Sequence, residues 1–279
     1  MPPPVRLTSR QHPLVKRCRR LAERRDADRE VLLDGEHLLR EAIAAGVPVR
    51  AVLAEARHAG LAAAARDAGA DVYDAAPAVI DAASPVRSPS GVVAIAEWVP
   101  APLARAFDAE PPLAIGLVDV QDPGNLGSVI RAADALGAGA VLALDRTVDP
   151  GGWKALRGAM GSTFRLPVAT GASADAVAEA RRRDWRIYAA VADASTTIED
   201  VDLAVPALVL LGSEGAGLPD ELRDAADTAI RVPMRAGVES LNVAVTAALI
   251  AAEARRQRRQ GSHRAEHGER GAGEVDEVE

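Results

Sequence analysis

Arg131 follows Asn125 by six residues, Glu214 sits inside Gly212-Ser213-Glu214-Gly215-Ala216-Gly217, and Leu241 separates Ser240 from Asn242. An amide, a guanidinium, a carboxylate and a hydroxyl can bind phosphate, orient a substrate hydroxyl and steady a developing negative charge. The same residue types also cap helices and fill turns, so each cluster carries two readings. Each stands where an apolar run ends, and in an α/β sheet that edge is where ligands bind.

The run Ile115–Val120 passes through the turn-rich Gln121-Asp122-Pro123-Gly124 into a helix expected to begin near Asn125. Asn is a good N-cap, and Arg131 lies one to two turns on, within reach of Asp122 or Asp134. The run Ala207–Leu211 ends at Gly212, Gly215 and Gly217, which permit tight backbone approach and positive φ. Pro219 then opens a short helix with Asp220 and Glu221 in its first turn. A strand-to-helix turn explains those glycines but does not require a carboxylate at Glu214. Their spacing fits neither G-x-G-x-x-G nor a Walker loop. In the third cluster Ser240 is the expected N-cap of a long helix, whose free amides face outward for an anionic or carbonyl-rich ligand.

The elements that must hold these clusters alternate. Strands are expected at Val31–Leu33, Val49–Leu53, Asp71–Tyr73 and Val92–Ala96, with helices at 10–25, 35–45, 62–68 and 76–83. Pro100, Pro102, Pro111 and Pro112 mark a linker over 101–112. Longer strands follow at 113–120, 140–145, 164–169, 186–192, 207–211 and 229–232, separated by helices near 126–136, 154–160, 174–183 and 220–226. Near-continuous apolar strands such as Ala207–Leu211 indicate a parallel sheet covered on both faces. A last helix from about Leu241 to Gln260 ends in Arg255, Arg256, Arg258 and Arg259, which suit its dipole and equally suit RNA. From 261 to 279 the chain is polar and expected to be disordered.

Taken in order and spacing, the three clusters resemble the motifs of the SpoU (TrmH-type) RNA ribose 2'-O-methyltransferase family of the SPOUT superfamily. The likeness is close over residues 113–257 and looser before. Ser9-Arg10-Gln11-His12-Pro13-Leu14-Val15-Lys16 and Leu33-Asp34-Gly35-Glu36-His37-Leu38-Leu39 are similar to the usual opening of the family's substrate-binding domain. The resemblance implies an α/β fold: a small N-terminal RNA substrate-binding domain over 1–100, then a parallel-sheet catalytic domain over 113–260 with a C-terminal trefoil knot. It implies Asn125, Arg131, Glu214, Ser240 and Asn242 as catalytic residues. S-adenosylmethionine would lie against Leu211, Gly212, Gly217, Val232, Pro233, Met234 and Leu241. Ribosomal RNA is favoured as substrate, most specifically 23S, with a tRNA 2'-O-methyltransferase or a non-catalytic RNA binder as alternatives. A homodimer is implied, and no metal is required. In the family the arginine is implicated in activating the ribose hydroxyl. A guanidinium stays protonated, with a pKa above about 12, so phosphate binding and alkoxide stabilisation suit Arg131 better than proton abstraction.

Composition is compatible with this. The chain has 279 residues and a net charge of −7, with 48% hydrophobic but only 3% aromatic residues. Its acidity argues against nucleic acid until the distribution is considered. The opening stretch, residues 1–30, carries Arg6, Arg10, Lys16, Arg17, Arg19, Arg20, Arg24, Arg25 and Arg29 against four acids. Arg10, Lys16, Arg17, Arg20 and Arg131 are the RNA-contacting candidates, although a charge run also serves as a solvated helix face. One cysteine, Cys18, excludes an internal disulfide and fits a reducing cytoplasm. The start lacks a signal peptide's apolar core, and no apolar run reaches membrane-span length. His263, Glu266 and His267 spell a zinc-peptidase pattern, but in a polar tail with no apolar helix face. His12, His37 and His58 lack ligand spacing.

Overall fold

Runs rich in β-branched residues, leucine and alanine, five or six residues long except for the shorter Val5–Leu7, Val168–Gly171, Thr196–Thr197 and Thr228–Arg231, become the strands of two sheets. The computed structural model describes residues 5–23 and 29–271. They divide into two compact units that interleave along the chain. The first comprises residues 1–101, 121–131 and 148–168; the second comprises 102–120, 132–147 and everything from 169 onward.

The first unit contains β1 (Val5–Leu7), α1 (Pro13–Ala22), β2 (Glu30–Asp34), α2 (Glu36–Ala44), β3 (Val49–Ala54), α3 (Ala59–Asp67), β4 (Asp71–Ala75), α4 (Pro77–Ala83) and β5 (Val92–Glu97). Its sheet runs β1-β4-β3-β5-β2. β1, β4 and β3 are parallel, while β5 is antiparallel to both β3 and β2. α1 starts at Pro13, later than residue 10, because Pro13 takes the first helical position and His12 Nδ1 accepts from the Leu14 N–H at 3.3 Å. Its buried face is Val15, Cys18 and Leu21, with Leu14 only partly covered. Arg24 and Arg25 lie outside the described residues.

Burial pushes the Cys18 thiol up to about 12, outweighing the Arg17 charge beside it. Alkylation of the native protein at pH 8 is therefore expected to be at least about a hundredfold slower than in denaturant. The stability contribution has a definite sign. Above the ordinary value of 9.0 the unfolded chain ionises this thiol while the native chain keeps the proton. Stability from this group thus falls as pH rises from there toward about 12.

The second unit contains α5 (Leu103–Phe107), β6 (Leu113–Val118), β7 (Ala140–Leu144), α8 (Ser173–Arg182), β9 (Arg186–Ala190), β10 (Thr196–Thr197), β11 (Ala207–Leu211), α9 (Asp220–Ala225), β12 (Thr228–Arg231) and α10 (Val243–Gly271). α6 (Pro123–Leu136) and β8 (Val168–Gly171) cross a unit boundary, and α7 (Trp153–Ala159) belongs to the first unit. The sheet order is β10-β12-β9-β11-β6-β7-β8, parallel at every pairing from β10 to β7. β6, β7 and β11 are buried along their whole length, as two-sided cover requires.

Several local expectations change. The proline-bracketed stretch holds the short helix α5, whose Phe107 packs edge-to-face on Trp185 at 5.0 Å. The strand expected at 164–169 is instead a 3-10 turn at Ser162–Phe164 followed by β8, because Ser162 O accepts from the Arg165 and Leu166 amides and Pro167 has none to give. α10 runs past Gly261 to Gly271, since alanine, arginine and glutamate favour helix and each interior glycine costs only about 1 kcal/mol. The remainder of the expected tail, 272–279, lies outside the described residues. Arg255 and Arg258 donate to the Ala135 and Gly137 carbonyls at 3.5 and 2.8 Å, satisfying the C-terminal end of α6. Among the described residues no helix is long and apolar enough to cross a membrane.

Candidate active site

Parallel pairing of β12, β9 and β11 brings the C-terminal ends of all three to one edge. A cavity of about 410 Å³ opens there. Its walls are Ala190–Asp193 after β9, Leu211–Leu218 after β11, Ile230–Val232 and Met234 at β12, and Ser240, Leu241, Val243 and Thr246 at the start of α10. Leu211, Gly212, Gly217, Val232, Met234 and Leu241 thus line one cavity together with Glu214 and Ser240, whereas Pro233 does not line it.

The loop after β11 is folded back on itself. Gly217 donates its N–H to Ser213 O at 2.9 Å and adopts a φ of +69°. A Cβ on Gly212 would stand 2.1 Å from the Gly217 carbonyl carbon, so only glycine fits. That turn presents Glu214 toward the third cluster. Asn242 Nδ2 donates to Glu214 Oε1 at 3.0 Å, and Asn242 Oδ1 accepts from the Ala244 N–H at 2.9 Å. The N-cap of α10 is therefore Asn242, and the expectation of a Ser240 cap is corrected. A serine hydroxyl can cap, but the amide offers an acceptor for the helix and separate donors for a carboxylate. Ser240 is left exposed on the cavity wall.

Three charged wall residues, Asp193, Arg223 and Arg231, had no motif to announce them. Arg223 Nη2 lies 3.0 Å from both carboxylate oxygens of Asp193. Its guanidinium holds the Asp193 carboxyl below the usual carboxylate range. Asp193 follows β9, and nothing in the sequence says that β9 neighbours β11.

Asn125 and Arg131 are in the first unit and are not among the residues lining this cavity. Asn125 is not the cap expected of it: α6 starts at Pro123, and Asp122 Oδ1 accepts from the Asn125 N–H at 2.8 Å. Asn125 instead occupies the helix's first turn. Arg131 is exposed, and among the described residues it forms neither the Asp122 nor the Asp134 pair. Beside them Gly127 meets α7 backbone to backbone, where a Cβ would come within 2.4 Å of Ala155 O.

Of the basic residues near the N-terminus, Arg10, Lys16 and Arg20 are exposed. Arg17 is committed to Glu30, with Nε donating at 2.8 Å to one carboxylate oxygen and Nη2 pairing with the other. Among the described residues no group of three or more His, Cys, Asp or Glu side chains could hold a metal ion.

Residues 112–252 match the model of the SpoU rRNA Methylase family, and residues 12–94 match that of an MRM3-like substrate binding domain. An uncharacterised tRNA/rRNA methyltransferase of Synechocystis is 32% identical over 90% of this chain and 93% of its own length. The 23S rRNA (guanosine(2553)-2'-O)-methyltransferase RlmP of Bacillus subtilis is 32% identical over 78% of this chain and 86% of its own. The AdoMet-bound rRNA methyltransferase structure from Sinorhizobium meliloti superposes with a TM-score of 0.82 at 31% identity, covering 90% of this chain and 97% of that one. The chain belongs to the SpoU rRNA methylase family of methyltransferases.

Proposed function

We propose that the chain methylates a ribose 2'-hydroxyl in RNA, with 23S ribosomal RNA as substrate and S-adenosylmethionine as methyl donor. The observation that carries this is the single cavity gathering Gly212, Glu214, Gly217, Ser240 and Leu241 from two separate motifs. The residues present fit the cofactor. A volume of about 410 Å³ suits a nucleoside-sized ligand. Leu211, Leu218, Ile230, Val232, Met234 and Leu241 give it apolar walls, exposed glycine backbone gives it polar edges, and the Glu214 carboxylate complements a cation.

When bound, S-adenosylmethionine supplies an already activated methyl on a sulfonium. The protein's task is then alignment and charge stabilisation. In this scheme Asn242 fixes Glu214, and Ser240 with Asn242 borders the transfer position. Asn125 orients the ribose. Arg131 binds the adjacent phosphate and stabilises the forming alkoxide, while a phosphate oxygen or solvent takes the proton. Arg10, Lys16 and Arg20 bind RNA phosphates away from the chemistry, and their contribution should fall with salt.

Three further elements belong to the proposal. The first hundred residues serve as the RNA-binding domain, supported by the substrate-domain match. The C-terminal segment threads a trefoil knot, supported by family likeness, since knots are otherwise rare. The active form is a cytoplasmic homodimer. Val245 and Leu249, one turn apart on α10, are 47% and 40% exposed, an apolar pair that a second copy would cover. Leu249→Asp occurs twice in a two-fold interface, so dimer dissociation should rise about a thousandfold, read by analytical ultracentrifugation. An unchanged dimer would move the interface elsewhere.

Calorimetry with S-adenosylmethionine and labelled-methyl transfer into purified 23S rRNA and tRNA test the function. Cofactor binding with label in the 23S fraction is expected. Label in tRNA alone would replace the substrate. Salt-dependent RNA binding with no transfer would favour a non-catalytic binder.

A further inference from the structure

Asp34, His37 and Glu41, at the end of β2 and along α2, all grip the segment from Arg157 to Arg165. Arg157 Nη1 donates to Asp34 Oδ2 at 3.0 Å, and Ser84 Oγ donates to the other carboxylate oxygen at 2.7 Å. His37 Nε2 lies 3.2 Å from the Met160 carbonyl oxygen, and Arg165 pairs with Glu41. The Asp34 side chain is only 3% exposed, so Arg157 offsets a charge withdrawn from water. Gly161 closes tightly on the same element, since a Cβ there would meet Glu41 at 2.4 Å.

The helix so gripped, α7, is the one on which α6 rests. Gly127 of α6 touches the backbone of Ala155, Gly158 and Ala159 with no room for a methyl group. Backbone packed directly on backbone transmits position with little slack. Arg131 lies one turn beyond Gly127 on the same face of α6. Residues 121–131 and 148–168 also cluster with the N-terminal residues in one compact unit.

We propose that Asp34 and Arg157 are positioning residues that, through α7 and the Gly127 contact, set the α6 turn bearing Asn125 and Arg131. The catalytic half of this inference rests on the methyl-transfer role given to Arg131; the packing relay does not. Asp34→Asn and Arg157→Gln in the full chain test it, with Arg157→Lys as conservative rescue and Ser84→Ala as a milder variant. Hydrogen–deuterium exchange of peptides within 121–131 is expected to quicken about tenfold or more, while β6 and β11 stay protected. RNA methylation should lose more than about tenfold in kcat, with KM for RNA and cofactor affinity within about twofold. Arg157→Lys should recover part of the loss, and Ser84→Ala should shift both readouts less in the same direction. Unchanged α6 exchange in the folded variants, or losses that merely track the folded fraction, would overturn the relay. An inactive wild-type chain whose α6 still responds would instead overturn the methyl-transfer reading alone.

Discussion

Replacing Arg131 with alanine is expected to lower methyl transfer about a hundred- to a thousandfold while cofactor affinity stays within about twofold. The size follows from removing one charged donor from a developing alkoxide. The insensitivity of cofactor binding follows from geometry, because Arg131 is not among the residues lining the Gly212 cavity. Its exposure and lack of an ion pair among the described residues argue against a purely structural arginine. Single-turnover transfer with saturating RNA measures the chemical step. Arg131→Lys should recover only part of the rate, since an ammonium cannot present the guanidinium's planar fork to phosphate. A fully active lysine variant would remove the case for a special guanidinium role.

Gly212→Ala should weaken S-adenosylmethionine binding about thirty- to a hundredfold, the equivalent of about 2–3 kcal/mol of overpacking. The added methyl would lie 2.1, 2.2 and 2.3 Å from the Gly217 carbon and oxygen and the Leu218 nitrogen. These are backbone atoms, and Leu218 is only 6% exposed, so the turn cannot simply swing outward. Gly215→Ala is the matched control, since nothing lies within 4 Å of its added methyl. Calorimetry should show the first variant impaired and the second near wild type. Equal affinities would mean the turn re-forms around an alanine. RNA affinity should be unchanged in both, because the proposed contacts belong to the first unit.

The places of the first two clusters were legible because each follows a buried apolar strand, β6 or β11, and strand burial shows directly in runs such as Ala207–Leu211. The helix caps were off by a few residues for a chemical reason. Asp, Asn and Ser all cap, so spacing alone did not distinguish Asp122 from Asn125 or Asn242 from Ser240. The Asp193–Arg223 wall was invisible because lateral strand order is non-local: β9 joins β11 across residues that carry no pairing signal. The interleaving of 121–131 and 148–168 with the N-terminal residues was hidden likewise, since pairs such as Arg157 with Asp34 join residues far apart in sequence. The end of α10 was missed because polar, glycine-containing sequence reads as tail even where helix formers dominate.

The measurement that bears most directly on the central claim is nucleoside mass spectrometry of 23S rRNA after incubation with the protein and isotopically labelled S-adenosylmethionine. The account predicts one labelled methyl on a ribose, detected as a 2'-O-methylnucleoside whose phosphodiester resists alkaline hydrolysis, and its absence with Arg131→Ala. Label found on a base, or equal ribose methylation by the Arg131→Ala protein, would contradict it.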